Sequence, residues 1–228
     1  MEPRAYFTDL GGCLFPDFLD TACGILAARY AITAERIEEA RKGLWNIYAY
    51  AKGVYAPTTA QAEKLAWASF AAEAGIDASP EEIVAVTAEC VRPLDPEYVA
   101  LLERLKKRGV VLGIISNNTE FFWERQRQAL KLERFFPSEH VFLSCDYGAP
   151  KNSREQQLFQ AALAAASVPP EACIFVDDRV HNIECALQAG FGMAILHPKS
   201  ITWGAKYIAQ ILTQTGVLPS VDVSAEYR

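Results

Sequence analysis

The sequence predicts an α/β fold in which a doubly wound parallel sheet carries an inserted all-α subdomain. Two observations lead to this prediction. From residue 96 onward, short apolar runs of strand length alternate with amphipathic helical segments, as in a parallel sheet covered by helices on both faces. An N-terminal strand-like run is separated from that region by residues 16–95, which show only helical periodicity. Because one strand cannot form a domain, we expect residues 1–15 to fold with residues 96–216.

The inserted segment is expected to contain four helices, at residues 18–30, 34–50, 59–74 and 80–91. Ser79 stands at an N-cap position before Pro80, and Glu82 follows at the spacing of a capping box. Most aromatic residues of the segment should fill its own core: Trp45, Tyr48, Tyr50, Tyr55, Trp67 and Phe70. Trp45, Tyr48 and Tyr55 could also line a compact, partly apolar pocket.

The second half of the chain supplies the remaining strands and helices. Strands are expected at residues 110–115, 140–143, 173–176 and 193–196, after the first strand that ends near Thr8. Helices are expected at residues 96–107, 120–131, 154–166, 182–189 and 203–213. Residues 217–228 are interpreted as a loosely held tail.

Composition argues against several classes of protein. The 22 basic and 28 acidic residues give a net charge of −6, which disfavours a nucleic-acid partner. No apolar stretch is long enough to span a bilayer, and an acid at position 9 disfavours a signal peptide, so we expect no membrane partner and a cytoplasmic location. The six cysteines form no CxxC pair and should be buried, reduced thiols rather than metal ligands.

Polar side chains stand at four of the predicted strand ends. They are Asp9, Ser116 with Asn117, Lys151, and the adjacent acids Asp177 and Asp178. In a doubly wound sheet these ends converge on one crevice, where ligands bind. Gly11 and Gly12 follow Asp9, so the backbone there can approach an anion closely. Taken singly, Asp9 could begin a turn, Lys151 could be a solvated lysine, and Asp177 could cap the next helix.

These segments resemble the motifs of the haloacid dehalogenase-like hydrolase superfamily, in particular members with a helical cap inserted after the first motif. The four segments are DLGGCL at 9–14, ISNN at 115–118, SCDYGAPK at 144–151 and FVDDRVHN at 175–182. Their order and spacing are specific, and the resemblance covers essentially the whole chain. It implies a Rossmann-like core formed by residues 1–15 and 96–216, and a cap formed by residues 16–95.

The resemblance also implies roles for the strand-end residues. Asp9 would attack a phosphate ester and form an aspartyl-phosphate, while Ser116 and Lys151 would hold the phosphate with backbone groups at Gly11, Gly12 and Asn117. The adjacent carboxylates of Asp177 and Asp178 repel each other unless a cation lies close to them, and their oxygen atoms are suitable ligands for Mg²⁺. Asp9, the Gly11 carbonyl and Asp178 would bind it, and Asp177 would be either a further ligand or an acceptor behind them. The expected partner is a small-molecule phosphate; the oligomeric state is not predicted.

The sequence departs from the family pattern at position 11. Most phosphatases of the family carry an aspartate there that protonates the leaving group, which is worth about 10²–10⁴-fold. Asp17 and His181 are candidate replacements. The 2-haloacid dehalogenases also lack this acid, but they need no metal and replace the acids corresponding to Asp177 and Asp178. Retention of both acids favours a magnesium-dependent phosphatase.

A third reading stays open from the residues alone. Gly11, together with Asn152 in place of the proline that usually follows the family's lysine, is compatible with a binding protein that has kept the fold without catalysis.

Overall fold

The fold is built on a five-stranded parallel sheet. The computed structural model describes residues 4–50, 59–91, 93–199 and 201–219. The strands are β1 (Ala5–Thr8), β2 (Val111–Ser116), β3 (Val141–Leu143), β4 (Cys173–Asp177) and β5 (Met193–Leu196), in the order β3-β2-β1-β4-β5. The N-terminal strand is therefore central, with Thr8 opposite Ile114 of β2 and Val176 of β4. This confirms the predicted α/β class and the pairing of the first strand with the second half of the chain.

Ten α-helices are found among the described residues. Four lie between β1 and β2 as the insertion: α1 (Phe18–Tyr30), α2 (Ala34–Tyr50), α3 (Thr59–Ala74) and α4 (Pro80–Ala88). The others are α5 (Pro96–Lys107), α6 (Glu120–Leu130), α7 (Ser144–Tyr147), α8 (Gln157–Ala165), α9 (Val180–Ala189) and α10 (Ile201–Gln214). The predicted capping box is present, because Glu82 Oε2 accepts from Ser79 N at 2.7 Å and Ser79 Oγ accepts from Glu82 N at 3.2 Å.

Both faces of the sheet are buried, because successive residues of a strand point to opposite sides. Phe7 of β1 lies in one apolar cluster with α8 and α9, whereas Tyr6 lies in a second cluster with α5 and α10. The second cluster continues into the inserted helices. The ring of Phe122 on α6 lies 4.5 Å from that of Phe18 on α1 and 6.2 Å from that of Trp67 on α3, centroid to centroid. The insertion is thus packed against the helix that follows β2.

Several details of the sequence prediction are wrong. α4 ends at Ala88 rather than at residue 91. α8 begins at Gln157 rather than at residue 154, because residues 150–156 form consecutive turns and Gln156 has a left-handed φ of 51°. The short helix α7 was not predicted. The tail does not begin at Val217, since Val217 and Leu218 are each 1% exposed and pack in the core beside α10.

Other predictions about buried residues agree with the structure. All six cysteines are free and buried, and Trp67 and Phe70 are buried completely. The side chains of Trp45, Tyr48, Tyr50 and Tyr55 lie outside the described residues, and so does any pocket they form. Within the described part of the chain, no helix has both the length and the apolar character required to cross a bilayer.

Candidate active site

The carboxyl ends of the central strands open into a cavity of about 610 Å³. Five of the predicted site residues line it: Asp9, Gly11, Ser116, Asn117 and Lys151. The parallel pairing of β1 with β2 and β4 brings these residues together, although they are distant in sequence. A volume of this size is typical of sites for small organic molecules.

Asp9 is held at the point where β1 ends. Its backbone N–H donates to the Val176 carbonyl at 2.9 Å and so extends the pairing with β4 by one residue. Its Oδ1 accepts from the Leu10 N–H at 2.7 Å, which fixes the carboxylate against the following loop. Its other oxygen, Oδ2, lies 2.7 Å from the ammonium of Lys151.

The glycine after Gly11 is required by the loop geometry. Gly12 has a φ of 78°, which L side chains rarely adopt, and its N–H donates to the Phe15 carbonyl at 2.8 Å. A Cβ atom on Gly12 would lie 2.8 Å from Cγ of Asp178. The backbone can therefore lie directly against the Asp178 carboxylate only because this residue has no side chain.

Lys151 is buried between two carboxylates. It is 1% exposed, and its Nζ lies 2.7 Å from Asp9 Oδ2 and 2.5 Å from Asp177 Oδ2. Its backbone N–H donates to Asn117 Oδ1 at 2.8 Å, which ties the loop after β3 to the end of β2. The alternative of an ordinary solvated lysine is therefore wrong.

The two adjacent acids after β4 have different environments. Asp177 is completely buried and, besides Lys151, accepts from the Arg179 backbone N–H at 2.9 Å and from Asn182 Nδ2 at 3.0 and 3.1 Å. Asp178 is more accessible, with 14% of its side chain exposed and Lys199 Nζ 3.8 Å away. Asp177 thus binds groups of the protein on both oxygens, whereas Asp178 faces the loop at Gly12.

Asp9, Asp177 and Asp178 form a cluster that could hold a metal ion. Each offers one carboxylate oxygen, and these three oxygens lie within 4.8 Å of one another. Burial, reinforced by the charge of Asp177, raises the pKa of Asp9 to about 6, with Lys151 opposing the rise. Burial and Asp177 also raise the pKa of Asp178. Burial would lower the pKa of Lys151, but the charges of Asp177 and Asp9 outweigh it and raise that pKa. An additional cation would therefore be stabilised here.

The two candidate proton donors are placed very differently. Asp17 lines the cavity as the N-cap of α1, and its Oδ1 accepts from the Asp20 N–H at 2.9 Å. Its Oδ2 lies 3.1 Å from the position that a Cβ atom of Gly11 would occupy. His181 is not among the residues that line the cavity, and 63% of its side chain is exposed on α9. Of the two, only Asp17 is near the loop of residues 9–12 that follows β1.

Several cavity residues were not identified from the sequence. They are Asn118, Gln126 and Arg179 from the sheet-and-helix core and Glu38, Arg41 and Lys42 from α2. Asn118 could have been found, because it directly follows Ser116 and Asn117, the polar residues identified at the end of the predicted strand 110–115. The others stand within helices or after an acid pair and carry no local signal, since their position depends on how the helices pack.

A family model described as haloacid dehalogenase-like hydrolase matches residues 3–190, which is more than half of the chain. The chain belongs to this family. The family predicted from the sequence is thereby confirmed, and with it the expectation that the protein is a hydrolase.

Comparisons with individual proteins extend this result. Over 82 residues the chain is 39% identical to a glyceraldehyde 3-phosphate phosphatase of Pyrococcus furiosus; this segment is 36% of the chain and about a third (32%) of that protein's length. A haloacid dehalogenase family enzyme of Bacteroides thetaiotaomicron, crystallised with magnesium, has a TM-score of 0.66 and 21% identity, covering 91% of this chain and 99% of that one.

Dehalogenases have similar structures too. An L-2-haloacid dehalogenase has a TM-score of 0.61 and 16% identity, covering 89% of this chain and 87% of that one. At these identities the solved structures show the fold alone, and they do not separate a phosphatase from a dehalogenase. The distinction must come from the residues of the site.

Proposed function

We propose that the protein is a Mg²⁺-dependent phosphatase that hydrolyses a small organic phosphate monoester through an aspartyl-phosphate on Asp9. The observation that carries the proposal is the acidic cluster of Asp9, Asp177 and Asp178 with the buried ammonium of Lys151 beside it. The similarity of one segment to a phosphatase, and the crystallisation of a structural neighbour with magnesium and inorganic phosphate, support the same reaction.

In the first step, an oxygen of Asp9 forms a bond to phosphorus while the bond from phosphorus to the ester oxygen breaks. Lys151 and the Ser116 hydroxyl would bind the phosphate oxygens and orient them for in-line attack. In the second step, water forms a bond to phosphorus while the bond from phosphorus to the Asp9 oxygen breaks, and the proton that this water loses passes to the surrounding solvent. Inorganic phosphate leaves, and the carboxylate is restored. The ammonium of Lys151 beside Asp9 lowers the pKa of this carboxyl and so favours its ionised, nucleophilic form.

The acidic cluster has the donor chemistry that Mg²⁺ requires. Asp9, Asp178 and the carbonyl of Gly11 would hold the ion, while Asp177 keeps its contacts with Lys151 and Asn182. Hard carboxylate and carbonyl oxygens are the ligands that Mg²⁺ prefers. When bound, Mg²⁺ would supply positive charge that offsets the charge of the phosphate and the carboxylates.

The leaving oxygen needs a proton if the alcohol is a poor leaving group, and Asp17 is the proposed donor. Its Oδ1 is occupied by the Asp20 N–H, whereas its Oδ2 lies on the side of Gly11. Gly11 leaves this space free, because a side chain there would contact Asp17. The proton donor thus comes from the start of α1 rather than from the loop of residues 9–12 that carries the proposed nucleophile.

We further propose the domain division expected from the sequence, with residues 16–95 as a cap over the core. Glu38, Arg41 and Lys42 of α2 line the same cavity as the strand ends. Arg125 of α6 also contacts Glu63 of α3, with Nη2 and Oε1 2.8 Å apart. Substrate would then bind between the two parts.

The proposal is tested by incubating the protein with p-nitrophenyl phosphate and with 2-chloropropionate, each with Mg²⁺ and with EDTA. Phosphate release that EDTA and Asp9→Asn abolish supports a phosphatase, and the matched control Asp146→Asn, at an exposed residue of α7, should keep full activity. Halide release unaffected by EDTA would indicate a dehalogenase. Neither product would indicate a binding protein.

A further inference from the structure

The side chain of Gln126 is buried in the wall of the cavity. It lies on α6, only 4% of the residue is exposed, and it lines the same space as Asp9. Burying a primary amide is unfavourable unless its donors and acceptor are satisfied. The hydrogen bonds of this amide therefore indicate what the cavity is built to bind.

A chain of two hydrogen bonds fixes the orientation of the amide. The Thr119 backbone N–H, which can only donate, lies 2.9 Å from Asn118 Oδ1. The other atom of the Asn118 amide is then Nδ2, a donor, and it lies 2.8 Å from Gln126 Oε1. Rotating the Gln126 amide by 180° would place two donors against each other. Gln126 must therefore direct Oε1 toward Asn118 and Nε2 away from it.

Nε2 of Gln126 is a donor with no protein acceptor among the described residues. Oε1 makes the residue's one hydrogen bond within that part of the chain. The network behind the amide is rigid, because the Asn118 N–H donates to Ser144 Oγ at 3.0 Å and Ser144 Oγ donates back to the Asn118 carbonyl at 3.1 Å. The amide is thus held in place with its two N–H groups turned away from Asn118, in a residue that lines the cavity.

We propose that Gln126 is a specificity-determining residue that binds an oxygen atom on the organic part of the substrate, and that the substrate is a hydroxylated small organic phosphate. The inference rests on the proposed phosphatase function and extends it to a substrate class. The phosphate itself is assigned to Lys151 and Ser116, so the Gln126 donors are left for the organic part.

On the α2 side of the cavity, the charged groups favour a neutral hydroxyl group over a carboxylate. Arg41, the cavity arginine on α2, is already paired with Asp20 at 2.6 Å and with Glu38 at 3.2 Å. Asp17 and Glu38 add negative charge to the same wall. A hydroxyl oxygen can accept from Gln126 and donate to a carboxylate of that wall, whereas an anionic group beside Asp17 and Glu38 would be repelled by them.

The test compares glycerol 3-phosphate with n-propyl phosphate, which has the same number of carbons and no hydroxyls. The measured quantity is the ratio of their kcat/KM values, because differences in intrinsic reactivity cancel when this ratio is compared between proteins. Gln126→Met keeps nearly the length of the side chain but removes both N–H donors. We expect it to lower the ratio by roughly 10-fold or more, mainly through KM for glycerol 3-phosphate.

Two further variants complete the experiment. Gln126→Leu should lower the ratio as well. If neither variant folds, the preference of the wild-type protein decides alone. Gln157→Met, at an exposed position of α8, is the matched control and should leave the ratio unchanged. A wild-type protein with no preference for glycerol 3-phosphate, or a ratio that Gln126→Met does not change, would overturn the inference. Failure of the proposed function is a separate result, since the wild type would then release phosphate from neither compound nor from p-nitrophenyl phosphate.

Discussion

Lys151 Nζ lies 2.7 Å from Asp9 Oδ2, and the same ammonium lies 2.5 Å from Asp177 Oδ2. One buried cation thus compensates two buried carboxylates that come from the ends of β1 and β4. Because isolated charges are strongly disfavoured in a protein interior, the stability and the chemistry of this site depend on the same contacts.

Replacing Lys151 with methionine should strongly destabilise the protein. The substitution leaves Asp9 and Asp177 buried without their cation, and breaking a buried ion pair in this way costs about 3–5 kcal/mol. Urea unfolding in EDTA measures the change in the free energy of unfolding. Lys107→Met, at an exposed lysine at the end of α5, is the control and should change it by less than about 0.5 kcal/mol. If both variants lose a similarly small amount of the free energy of unfolding, the contacts of Lys151 with Asp9 and Asp177 are not important for stability.

Replacing Asp9 with asparagine should change how the stability of the metal-free protein depends on pH. The pKa of Asp9 is raised from 3.8 to about 6 on folding, so its contribution is fully present below pH 3.8 and is lost as the pH rises through about 6. Asp9→Asn has no such group. Thermal unfolding of both proteins in EDTA should therefore show the wild type losing stability relative to the variant between about pH 4 and pH 6. If the difference in stability between the wild type and Asp9→Asn did not change with pH, the raised pKa of Asp9 would be contradicted.

Replacing Asp17 with asparagine should affect substrates according to their leaving group. An alkyl phosphate needs a proton on its leaving oxygen, so we expect kcat/KM to fall by about 10²–10⁴-fold. p-Nitrophenyl phosphate has a good leaving group, so its hydrolysis should fall much less. Steady-state kinetics with the two substrates gives both values, and His181→Gln, on the exposed face of α9, is the control. Equal losses on both substrates would argue for a structural role of Asp17.

Replacing Asp178 with asparagine should weaken Mg²⁺ binding without requiring any measurement of activity. Loss of one charged ligand should raise the dissociation constant by at least about 10-fold, because Mg²⁺ binds through few protein carboxylates. The measurement is the increase in Tm on titration with Mg²⁺, since a ligand that binds the folded state stabilises it. Asp146→Asn, outside the acidic cluster, should titrate like the wild type. An unchanged titration for Asp178→Asn would remove this residue from the proposed metal site.

The sequence alone determined the class of fold and most of the candidate site. Alternating strand and helix patterns predicted the parallel sheet, and the helical periodicity of residues 16–95 predicted the insertion. The acids and the lysine at strand ends were found because parallel strands all end at the same edge of a sheet, whatever their separation in sequence. Periodicity and strand-end chemistry are local properties, and they can be read from consecutive residues.

Only the tertiary structure decided which groups contact each other within that edge. It paired Lys151 with both Asp9 and Asp177 and distinguished the buried Asp177 from the more accessible Asp178. It also brought Asp17 rather than His181 to the loop of residues 9–12 that follows β1. It also oriented the amide of Gln126 through Asn118. These contacts join residues of different elements, and the packing of helices against the sheet sets their distances. No pattern within a short stretch of sequence carries that information.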